Sequence, residues 1–370
     1  MILQNYFDHA SASVPREDVL EVYSQSLVKE WANPSSTHFF GSSCYEKYQE
    51  MKQYIAKLLL EPSAELIHLS SVTEANSMIL KSFLQSDSRK VLMPLDVHSS
   101  LSVYHEYYPE RIEFLPLESN GRFSEEILKD YLRSKHFGLF VCSHVGHDLG
   151  SIYPVHEIAY QCKKNGVYFH IDGAQALGAC ELNLESIEYS SYTFSFYKSG
   201  GIRGSAILCI KDIPWISPLL LGGSQEWGLR ASTENSSALI ANGTCLKTII
   251  QERESANKTL TILTDRLREK LSTISNIDLH PCENIKDGFV TFSNDKIPGN
   301  ELVKLISNDG FCIASGSACS EKSKKASPVS KAIYSGEENK QFGFIRISCG
   351  VQNTVDSVDE LCEALNRHLC

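Results

Sequence analysis

The chain has 370 residues, which is enough for two or three domains and a large buried core. It has 35 lysines and arginines against 45 aspartates and glutamates, and the net charge of −10 argues against nucleic-acid binding as the main function. Hydrophobic residues make up 42% and charged residues 22%, as in globular rather than disordered proteins. The 12 cysteines include no pair with C-x-x-C spacing, so no zinc ribbon, other metal site or thioredoxin-type motif is predicted.

The N-terminal residues, MILQNYFDHASAS, include an aspartate and no apolar run of signal-peptide length. No segment approaches the roughly 18 apolar residues that a membrane span requires. We therefore expect a cytoplasmic protein that does not bind a membrane and whose cysteines remain thiols. Most of these cysteines are expected to be small buried hydrophobic residues, and Cys142 and Cys209 lie inside apolar runs that fit this role.

The first half of the chain predicts an alternation of strands and helices. Within the first forty residues, ASASVP and ANPSSTH have the composition of loops that cross between domains. Residues 155–165 predict a helix that ends at Gly166. Such alternation predicts an α/β fold with a mostly parallel sheet covered by helices on both faces, which binds ligands at the carboxyl ends of its strands. Buried strands are predicted at 90–95, 139–143, 167–172, 192–196 and 205–210.

The second half predicts a smaller α/β unit. Residues 236–274 are helix-permissive throughout, as one long helix or two, and are followed by a strand at 288–293 and a helix at 300–308. A capping box of Ser357 and Glu360 is expected to begin the last helix. The apolar face of that helix is predicted to comprise Val358, Leu361, Leu365 and Leu369. The predicted division is a large domain at 14–245 and a small domain made of 1–13 and 246–370.

Two charged residues follow neighbouring predicted strands. Asp172 ends the strand in HIDGAQ, and Lys198 follows the strand in YTFSFYKSGG. Alone, the aspartate is more often a helix cap and the lysine a solvent-facing residue. Together at one sheet edge they match the needs of pyridoxal phosphate, because a lysine amine binds its aldehyde and an aspartate keeps its pyridine nitrogen protonated.

A phosphate site and a stacking residue are also predicted. The backbone N–H groups of Val72 and Thr73, with the Thr73 hydroxyl, begin a helix in LSSVTEANS, where a phosphate can bind. The same sequence is also an ordinary capping box. His98 follows the strand at 90–95 and is either a ring that stacks on a flat cofactor or an ordinary loop histidine.

Nine segments, in order along nearly the whole chain, resemble the cysteine desulfurases of the class V aminotransferase family, which are fold-type I pyridoxal phosphate enzymes. The resemblance implies an aspartate aminotransferase-like fold with a seven-stranded, mostly parallel sheet in the large domain and a smaller α/β C-terminal domain. The matching segments are NPSSTHFFG, SSVTEAN, DVHSS, HVGHDLG, HIDGAQALG, SFYKSGGIRG, GGSQEWGLRASTEN, ASGSACS and IRISCG.

The resemblance also implies roles for individual residues. Lys198 would be the Schiff-base lysine, Asp172 the partner of the pyridine nitrogen, Gln175 a ligand of the ring oxygen and His98 the stacking residue. Thr73 and Ser195 would bind the phosphate, with Thr233 from the second subunit of a homodimer. Arg346 and Asn33 would contact the substrate carboxylate, the arginine as a bidentate clamp.

Cys319 is the predicted nucleophile. It lies in ASGSACSEKSKKASPVSKAI, the least hydrophobic neighbourhood of any cysteine here, and is expected to be exposed and reactive. Lysines 322, 324 and 325 favour its thiolate, whereas Glu321 opposes it. The family mechanism has this thiolate take sulfur from L-cysteine as a persulfide, release L-alanine and pass the sulfur to an acceptor or scaffold protein. A surface cysteine without a role is the alternative.

Two departures from the family pattern lie close to the expected cofactor. Tyr197 replaces a histidine that binds phosphate, and His147 replaces an asparagine that touches the ring oxygen. Ser71 and Ser232 stand where the family has glycines. Three functions remain open at this point: a cysteine desulfurase for iron–sulfur clusters or modified RNA, a selenocysteine lyase or other β-lyase of the same fold, and a degenerate scaffold or binding protein.

Overall fold

The computed structural model describes residues 3–211, 213–280, 283–316 and 326–370. Within these ranges the larger sheet has seven strands in the order β1-β7-β6-β5-β4-β2-β3. It is mostly parallel, with β7 antiparallel to both of its neighbours. Its strands are β1 (Glu65–Leu69), β2 (Lys90–Pro94), β3 (Ile112–Leu115), β4 (Phe137–Ser143), β5 (Tyr168–Asp172), β6 (Ser191–Ser195) and β7 (Ala206–Ile210).

Helices cover both faces of this sheet, which confirms the predicted fold class. Alternate residues of β4 enter different cores: Phe140 and Cys142 lie in one, and Leu139 and Val141 in the other. The helices before and between these strands are α1 (Glu17–Lys29), α2 (Phe39–Leu58), α3 (Val72–Ser86), α4 (Ser99–Ser102), α5 (Tyr104–Tyr107), α6 (Glu125–Arg133) and α7 (Val155–Lys164).

The chain after β7 contains a second, smaller sheet. In the described residues that sheet has three antiparallel strands, with β9 between β8 and β10. Its strands are β8 (Ile277–Leu279), β9 (Phe289–Asn294) and β10 (Ile345–Ser348), and the helices are α8 (Ser236–Leu271), α9 (Gly299–Asn308), α10 (Pro328–Ile333), α11 (Glu338–Phe342) and α12 (Val355–Leu369).

Two local expectations are corrected. The first forty residues are not loops throughout, because α1 occupies Glu17–Lys29 and packs against α8. The last helix begins one turn before the expected Ser357 cap: the Thr354 hydroxyl accepts from the Ser357 N–H, and the Ser357 hydroxyl accepts from the Thr354 N–H. The reciprocal bonds satisfy N–H groups at the helix start, so the cap forms there. The predicted apolar face is confirmed, since its four residues are buried.

Helix α8 runs without a break through the predicted domain boundary at 245/246. Its Leu239 and Leu246 enter a core of the larger sheet, whereas Leu263 and Leu267 enter the core of the smaller one. The two-domain division stays a prediction. No helix in the described part of the chain is both long enough and apolar enough to cross a membrane.

Candidate active site

A single cavity opens at the carboxyl ends of β4, β5 and β6 and beside the start of α3. Nine of the residues predicted from sequence line it together, although they come from five separate segments of the chain. They are Val72, Thr73, His98, His147, Asp172, Gln175, Ser195, Tyr197 and Lys198. The cavity lies where strand ends meet in an α/β sheet, as expected for a ligand site in this fold.

Asp172 lines the cavity and belongs to a hydrogen-bonded chain of side chains, here called the floor network: Asp172, Asn76, His170 and Ser191. Asp172 is 4% exposed, and its carboxylate accepts from the Asn76 amide and from the Ala174 N–H, both at 2.9 Å. Because the Asn76 amide nitrogen donates to Asp172, its oxygen must accept from His170 Nε2, 2.9 Å away.

The floor network fixes the protonation of its histidine. The Nδ1 atom of His170 lies 2.8 Å from the Ser191 hydroxyl, which donates when Nε2 carries the proton. Burial lowers the pKa of His170 to about 4, so the ring is neutral near pH 7. The network therefore holds Asp172 in one orientation at the end of β5, facing the cavity.

Lys198 lies on a tight turn directly after β6. Residues Tyr197–Ser199 form one turn of 3₁₀ helix, and the Ser13 hydroxyl donates to the Lys198 carbonyl oxygen at 2.7 Å. Gly200 ends the turn at φ +91°, in the left-handed region, and a Cβ there would lie 2.7 Å from Cγ of Arg16. The turn and its glycine aim the lysine at the cavity that Asp172 faces.

The start of α3 brings backbone N–H groups to the cavity. Ser71 caps the helix by accepting from the Glu74 N–H at 3.1 Å, and Glu74 in turn accepts from the Ser70 N–H at 2.7 Å. The segment is therefore an N-terminal cap and also lines the cavity through Val72 and Thr73. Its N–H groups and the positive end of the helix dipole suit a phosphate.

Two neutral histidines also line the cavity. The rings of His98 and His147 meet edge to face, with centroids 5.6 Å apart. Burial, followed by the charges of His147 and Lys198, lowers the pKa of His98 to about 4. Burial also lowers the pKa of His147, with smaller contributions from Lys198 and Arg346, whereas Asp148 opposes the shift. Both rings are uncharged at pH 7 and suit a flat aromatic ligand.

This side of the cavity, here called the open face (His98, His147, Gln175), contains two buried polar atoms without hydrogen-bond partners. They are Nδ1 of His147 and Oε1 of Gln175. The Gln175 side chain is nevertheless fixed, because its Nε2 donates to the Ala10 carbonyl oxygen at 2.7 Å. Buried polar atoms normally have partners, so these two indicate a ligand that carries its own polar groups. The donor set fits pyridoxal phosphate, with Asp172 for the ring nitrogen and α3 for the phosphate.

Arg346 lies next to the open face but does not line the cavity. It is 2% exposed; its Nη1 donates to the His147 carbonyl oxygen at 2.8 Å, and its Nη2 donates to Asp8 at 2.9 Å and Ser11 at 3.0 Å. Its Nε is buried without a partner. The arginine therefore both supports the His147 segment and keeps one donor available for a carboxylate.

Besides Arg346, two of the predicted residues do not line this cavity in a single chain. Asn33 is exposed and its side-chain oxygen accepts from the Ser35 N–H, so its predicted contact with substrate stays a prediction. Thr233 is exposed, and its predicted role in a second subunit is likewise untested in one chain. Cys319 lies outside the described residues. The described ranges contain ten cysteines, all free thiols; Cys142 and Cys209 are buried in strands, which confirms their predicted packing role.

Sequence reasoning missed residues that act through longer-range contacts. Asn76 orients Asp172, and Asp8 pairs with Arg346 across 338 positions of sequence. The SSVTEAN segment already contained Asn76, and its place on the second turn of a helix that begins at a sheet edge was a usable signal. Nothing in the sequence around Asp8 indicates that it pairs with Arg346. No group of three or more His, Cys, Asp or Glu side chains suited to a metal occurs among the described residues.

Comparison with known proteins gives consistent matches over the whole length. The family model described as "Aminotransferase class-V" matches residues 5–361. The protein named "Cysteine desulfurase IscS" from Dictyoglomus turgidum is 30% identical over 370 residues, covering 98% of this chain and 93% of that protein. "Cysteine desulfurase IscS 1" from Archaeoglobus fulgidus is 28% identical over 369 residues, covering 97% of this chain and 95% of that protein.

Solved structures show the same fold. A structure titled "NifS-like protein" superposes with a TM-score of 0.90 at 24% identity and covers 99% of both chains. The NifS-like protein from Rickettsia africae superposes with a TM-score of 0.89 at 23% identity, covering 98% of this chain and 99% of that one. Both support the α/β architecture predicted from sequence.

Proposed function

Because the chain belongs to the class-V aminotransferase family, we propose that it is a pyridoxal-phosphate-dependent cysteine desulfurase, which converts L-cysteine to L-alanine and passes the sulfur to an acceptor. The observation that carries this proposal is the shared cavity of Lys198, Asp172, Gln175 and His98. The two relatives described above, each named as a cysteine desulfurase, match nearly the full length of the chain.

Each part of the cofactor has a matching group in the cavity. Asp172 would hold the pyridine nitrogen, Gln175 and His147 the ring oxygen, and His98 the ring face. The start of α3, with Thr73 and Ser195, would hold the phosphate. When bound, pyridoxal phosphate supplies an electron-accepting ring that stabilises negative charge on the substrate's α-carbon.

Lys198 and Arg346 would handle the substrate. The Lys198 amine would hold the cofactor covalently and, as a free amine in the presence of bound cysteine, would accept the α-proton at Nζ. The buried Nε of Arg346 would donate to the substrate carboxylate while Nη2 stays on Asp8. The arginine also fixes the His147 carbonyl, so substrate binding and the open face are linked through one guanidinium.

The sulfur transfer to Cys319 balances without an external oxidant. The thiolate of Cys319 attacks the sulfur of cysteine, an S–S bond forms, and the bond between sulfur and Cβ breaks. The electron pair stays on Cβ, which takes a proton, so that the carbon is reduced while the two sulfurs are oxidised to a persulfide. L-alanine leaves, and the acceptor or scaffold protein then takes the outer sulfur.

The test is a mass measurement with a matched cysteine control. After incubation with L-cysteine, the peptide containing Cys319 should gain one sulfur atom. Cys319→Ala should keep the change in cofactor absorbance on adding cysteine but lose sulfide release in the presence of a reductant. Cys312→Ala removes an exposed cysteine in the described part of the chain and should behave as wild type. Wild-type sulfide release by Cys319→Ala would refute the persulfide step.

A selenocysteine lyase or other β-lyase is the second candidate, because His147 and Tyr197 give the cavity an unusual composition. The Arg203 guanidinium lies 5.7 Å from the Tyr197 ring centroid, which brings a further cation near the expected phosphate. Alanine release from cysteine, selenocysteine and cysteine sulfinate distinguishes these activities: preference for cysteine supports desulfuration.

The assembly and compartment are part of the same proposal. Trp31, Phe39 and Phe40 form an exposed aromatic cluster, with Phe39 73% exposed, and aromatic side chains are enriched at protein interfaces. Together with the exposed Thr233, this supports a homodimer. A reducing compartment such as the cytoplasm is proposed because the reaction needs Cys319 as a free thiol.

A further inference from the structure

A second cavity, here called the back cleft, lies between the N-terminal segment, α8 and the loop that leads into β9. Its volume is about 140 Å³, and a cavity of roughly this size holds a ligand of about six carbon atoms. Val14, Leu177 and Ile249 contribute apolar walls. Apart from Lys198, none of the described residues that line the back cleft also lines the cofactor cavity, so the two are separate spaces.

The back cleft is positively charged, although the whole chain has a net charge of −10. Its described lining includes the cations Arg16, Arg253 and Lys286, against the one carboxylate of Glu252. Glu252 already pairs with Arg16 at 2.6 Å. Positive charge therefore remains in excess, and a concave site of one sign of charge favours a ligand of the opposite sign.

Lys286 is the cation of the back cleft that the protein leaves without a counter-charge. Its Nζ donates to the Gln175 carbonyl oxygen at 3.2 Å and lies 5.5 Å from the centroid of the Phe289 ring. In the described ranges no carboxylate lies within ion-pair distance of it. Burial lowers the pKa of Lys286 to about 8, which leaves the amine mostly charged at pH 7. An ammonium group has three donors, so Lys286 can bind a ligand carboxylate as well as the carbonyl.

His9 adds a hydrogen-bond acceptor to the same cleft. It is 7% exposed, and its Nε2 is buried without a hydrogen-bond partner. Burial, followed by the charge of Lys286, lowers the pKa of His9 to about 4, and a hydrogen bond to the Tyr6 backbone uses the N–H of the neutral ring. Nε2 therefore has a free lone pair. A buried acceptor without a partner indicates a ligand that carries a donor.

Gln175 holds the segments of His9 and Lys286 together. Its Nε2 donates to the carbonyl oxygen of Ala10, which follows His9, at 2.7 Å, and its own carbonyl oxygen accepts from Lys286. The cation and the acceptor are therefore anchored on one residue, and a single small ligand can contact both.

We propose that the back cleft is a second binding site, for a short carboxylate that carries a hydroxyl group and an apolar tail. Lys286 binds the carboxylate, Nε2 of His9 accepts from the hydroxyl, and the apolar walls cover the tail. Hydrogen bonds between an ammonium and a carboxylate are about twice as strong as neutral ones, so Lys286 makes the larger contribution. The site is independent of the proposed desulfuration, which assigns no role to these two residues.

The experiment titrates the full-length chain, with pyridoxal phosphate in excess, with 2-hydroxy-4-methylpentanoate at pH 7. Saturation transfer from the protein to the methyl protons of the compound, measured by NMR, reports binding. We expect a Kd of roughly 1 mM. The matched compound 4-methylpentanoate lacks the hydroxyl and should bind about two- to tenfold more weakly.

Two variants test the polar contacts. Lys286→Met should weaken binding by about tenfold or more, because the charge-assisted hydrogen bond is lost. His9→Phe should bind the two compounds equally, because the acceptor for the hydroxyl is gone. Lys258→Met is the control: it removes an exposed lysine of α8 that pairs with Glu254 outside the cleft, and it should bind as wild type does.

A third variant tests the cleft without changing its charges. Ala256 lies on α8 and lines the back cleft, so Ala256→Leu should fill part of the space and weaken binding. This variant keeps Lys286 and His9 and still gives a result if Lys286→Met does not fold, which circular dichroism shows.

Three results would overturn the proposal. They are the absence of saturation transfer at concentrations up to about 20 mM, wild-type affinity in Ala256→Leu or in folded Lys286→Met, and displacement of the compound by L-alanine, which would place it at the substrate position of the cofactor cavity. The visible absorbance of bound pyridoxal phosphate is recorded in the same samples. A chain that binds no cofactor would contradict the proposed function and leave the titration of the back cleft readable.

Discussion

The floor network and the open face of the cofactor cavity differ in their hydrogen bonding, although Ser100 joins Asn76 of the first to His98 of the second. In the floor network Asp172, Asn76 and His170 are joined by hydrogen bonds of 2.9 Å. At the open face, Nδ1 of His147 and Oε1 of Gln175 are buried without partners. Asp172 of the floor network and all three residues of the open face line the same cavity.

The difference indicates which polar groups serve folding and which serve binding. A buried hydrogen-bond network stabilises the protein only while it is complete, and losing one member leaves the others unpaired. A buried atom that already lacks a partner contributes nothing by hydrogen bonding until a ligand arrives. The floor network should therefore affect stability, whereas the open face should affect ligand affinity.

The largest effect on stability is expected from Asn76→Ala. The change leaves Asp172 and Nε2 of His170 without their shared partner, at a cost of about 1–3 kcal/mol in the free energy of unfolding. Urea denaturation of the cofactor-free protein measures this. Asn308→Ala, at the exposed end of α9, is the control and should stay within about 0.5 kcal/mol of wild type. A similar value for both variants would mean that the floor network does not stabilise the fold.

The next largest effect on stability is expected from acid, through His170 of the floor network. The pKa of His170 is about 4 in the folded chain, against an ordinary 6.5, because burial disfavours its charged form. The contribution of neutral His170 to the free energy of unfolding is therefore complete above about pH 6.5. It is lost as the pH falls toward 4, by at most about 1.4 kcal/mol per pH unit. Denaturation at pH 7 and pH 5 should show a smaller loss for His170→Gln than for wild type.

A histidine on the surface provides the control for this pH dependence. His156 is exposed, so His156→Gln should lose as much stability between pH 7 and pH 5 as wild type does. Equal losses in His170→Gln and His156→Gln would show that the floor histidine does not contribute to acid sensitivity.

The smallest effect on stability is expected at the open face. His147→Ala removes a ring whose Nδ1 has no partner, so the cofactor-free protein should lose less than about 1 kcal/mol. Affinity for pyridoxal phosphate, measured by fluorescence titration, should weaken by roughly two- to tenfold through the lost hydrogen bond. If His147→Ala lost more stability than Asn76→Ala and kept its affinity for pyridoxal phosphate, the open face would serve folding rather than binding.

The central strands could be predicted from sequence because each is a short apolar run between polar segments. The predicted runs agree with β2, β4, β5, β6 and β7 to within two residues at each end. The direction of β7 was not predicted, although only ten residues separate Ser195 from Ala206, too few for the helical crossover that a parallel strand needs. The edge strand β3 was missed because its four residues are too few for a clear pattern.

The site residues that could be predicted from sequence are those whose positions are fixed by the end of a strand. Asp172 and Lys198 follow strands of one sheet, so their convergence follows from topology alone. Lys286 approaches from the loop before β9, and nothing in the local pattern of KDGFVTFS indicates that its amine contacts the Gln175 carbonyl. Such long-range contacts depend on how the segment before β9 packs against the larger sheet, and the local sequence does not indicate that packing.

Helix α8 has a consequence for how the protein unfolds. Its 36 residues span about 54 Å, and its two ends are embedded in the separate hydrophobic cores of the two sheets. Neither core can melt without exposing apolar side chains of the same continuous helix. We expect the two sheets to lose structure in one cooperative transition, with amide hydrogens at both ends of α8 exchanging at a common, slow rate.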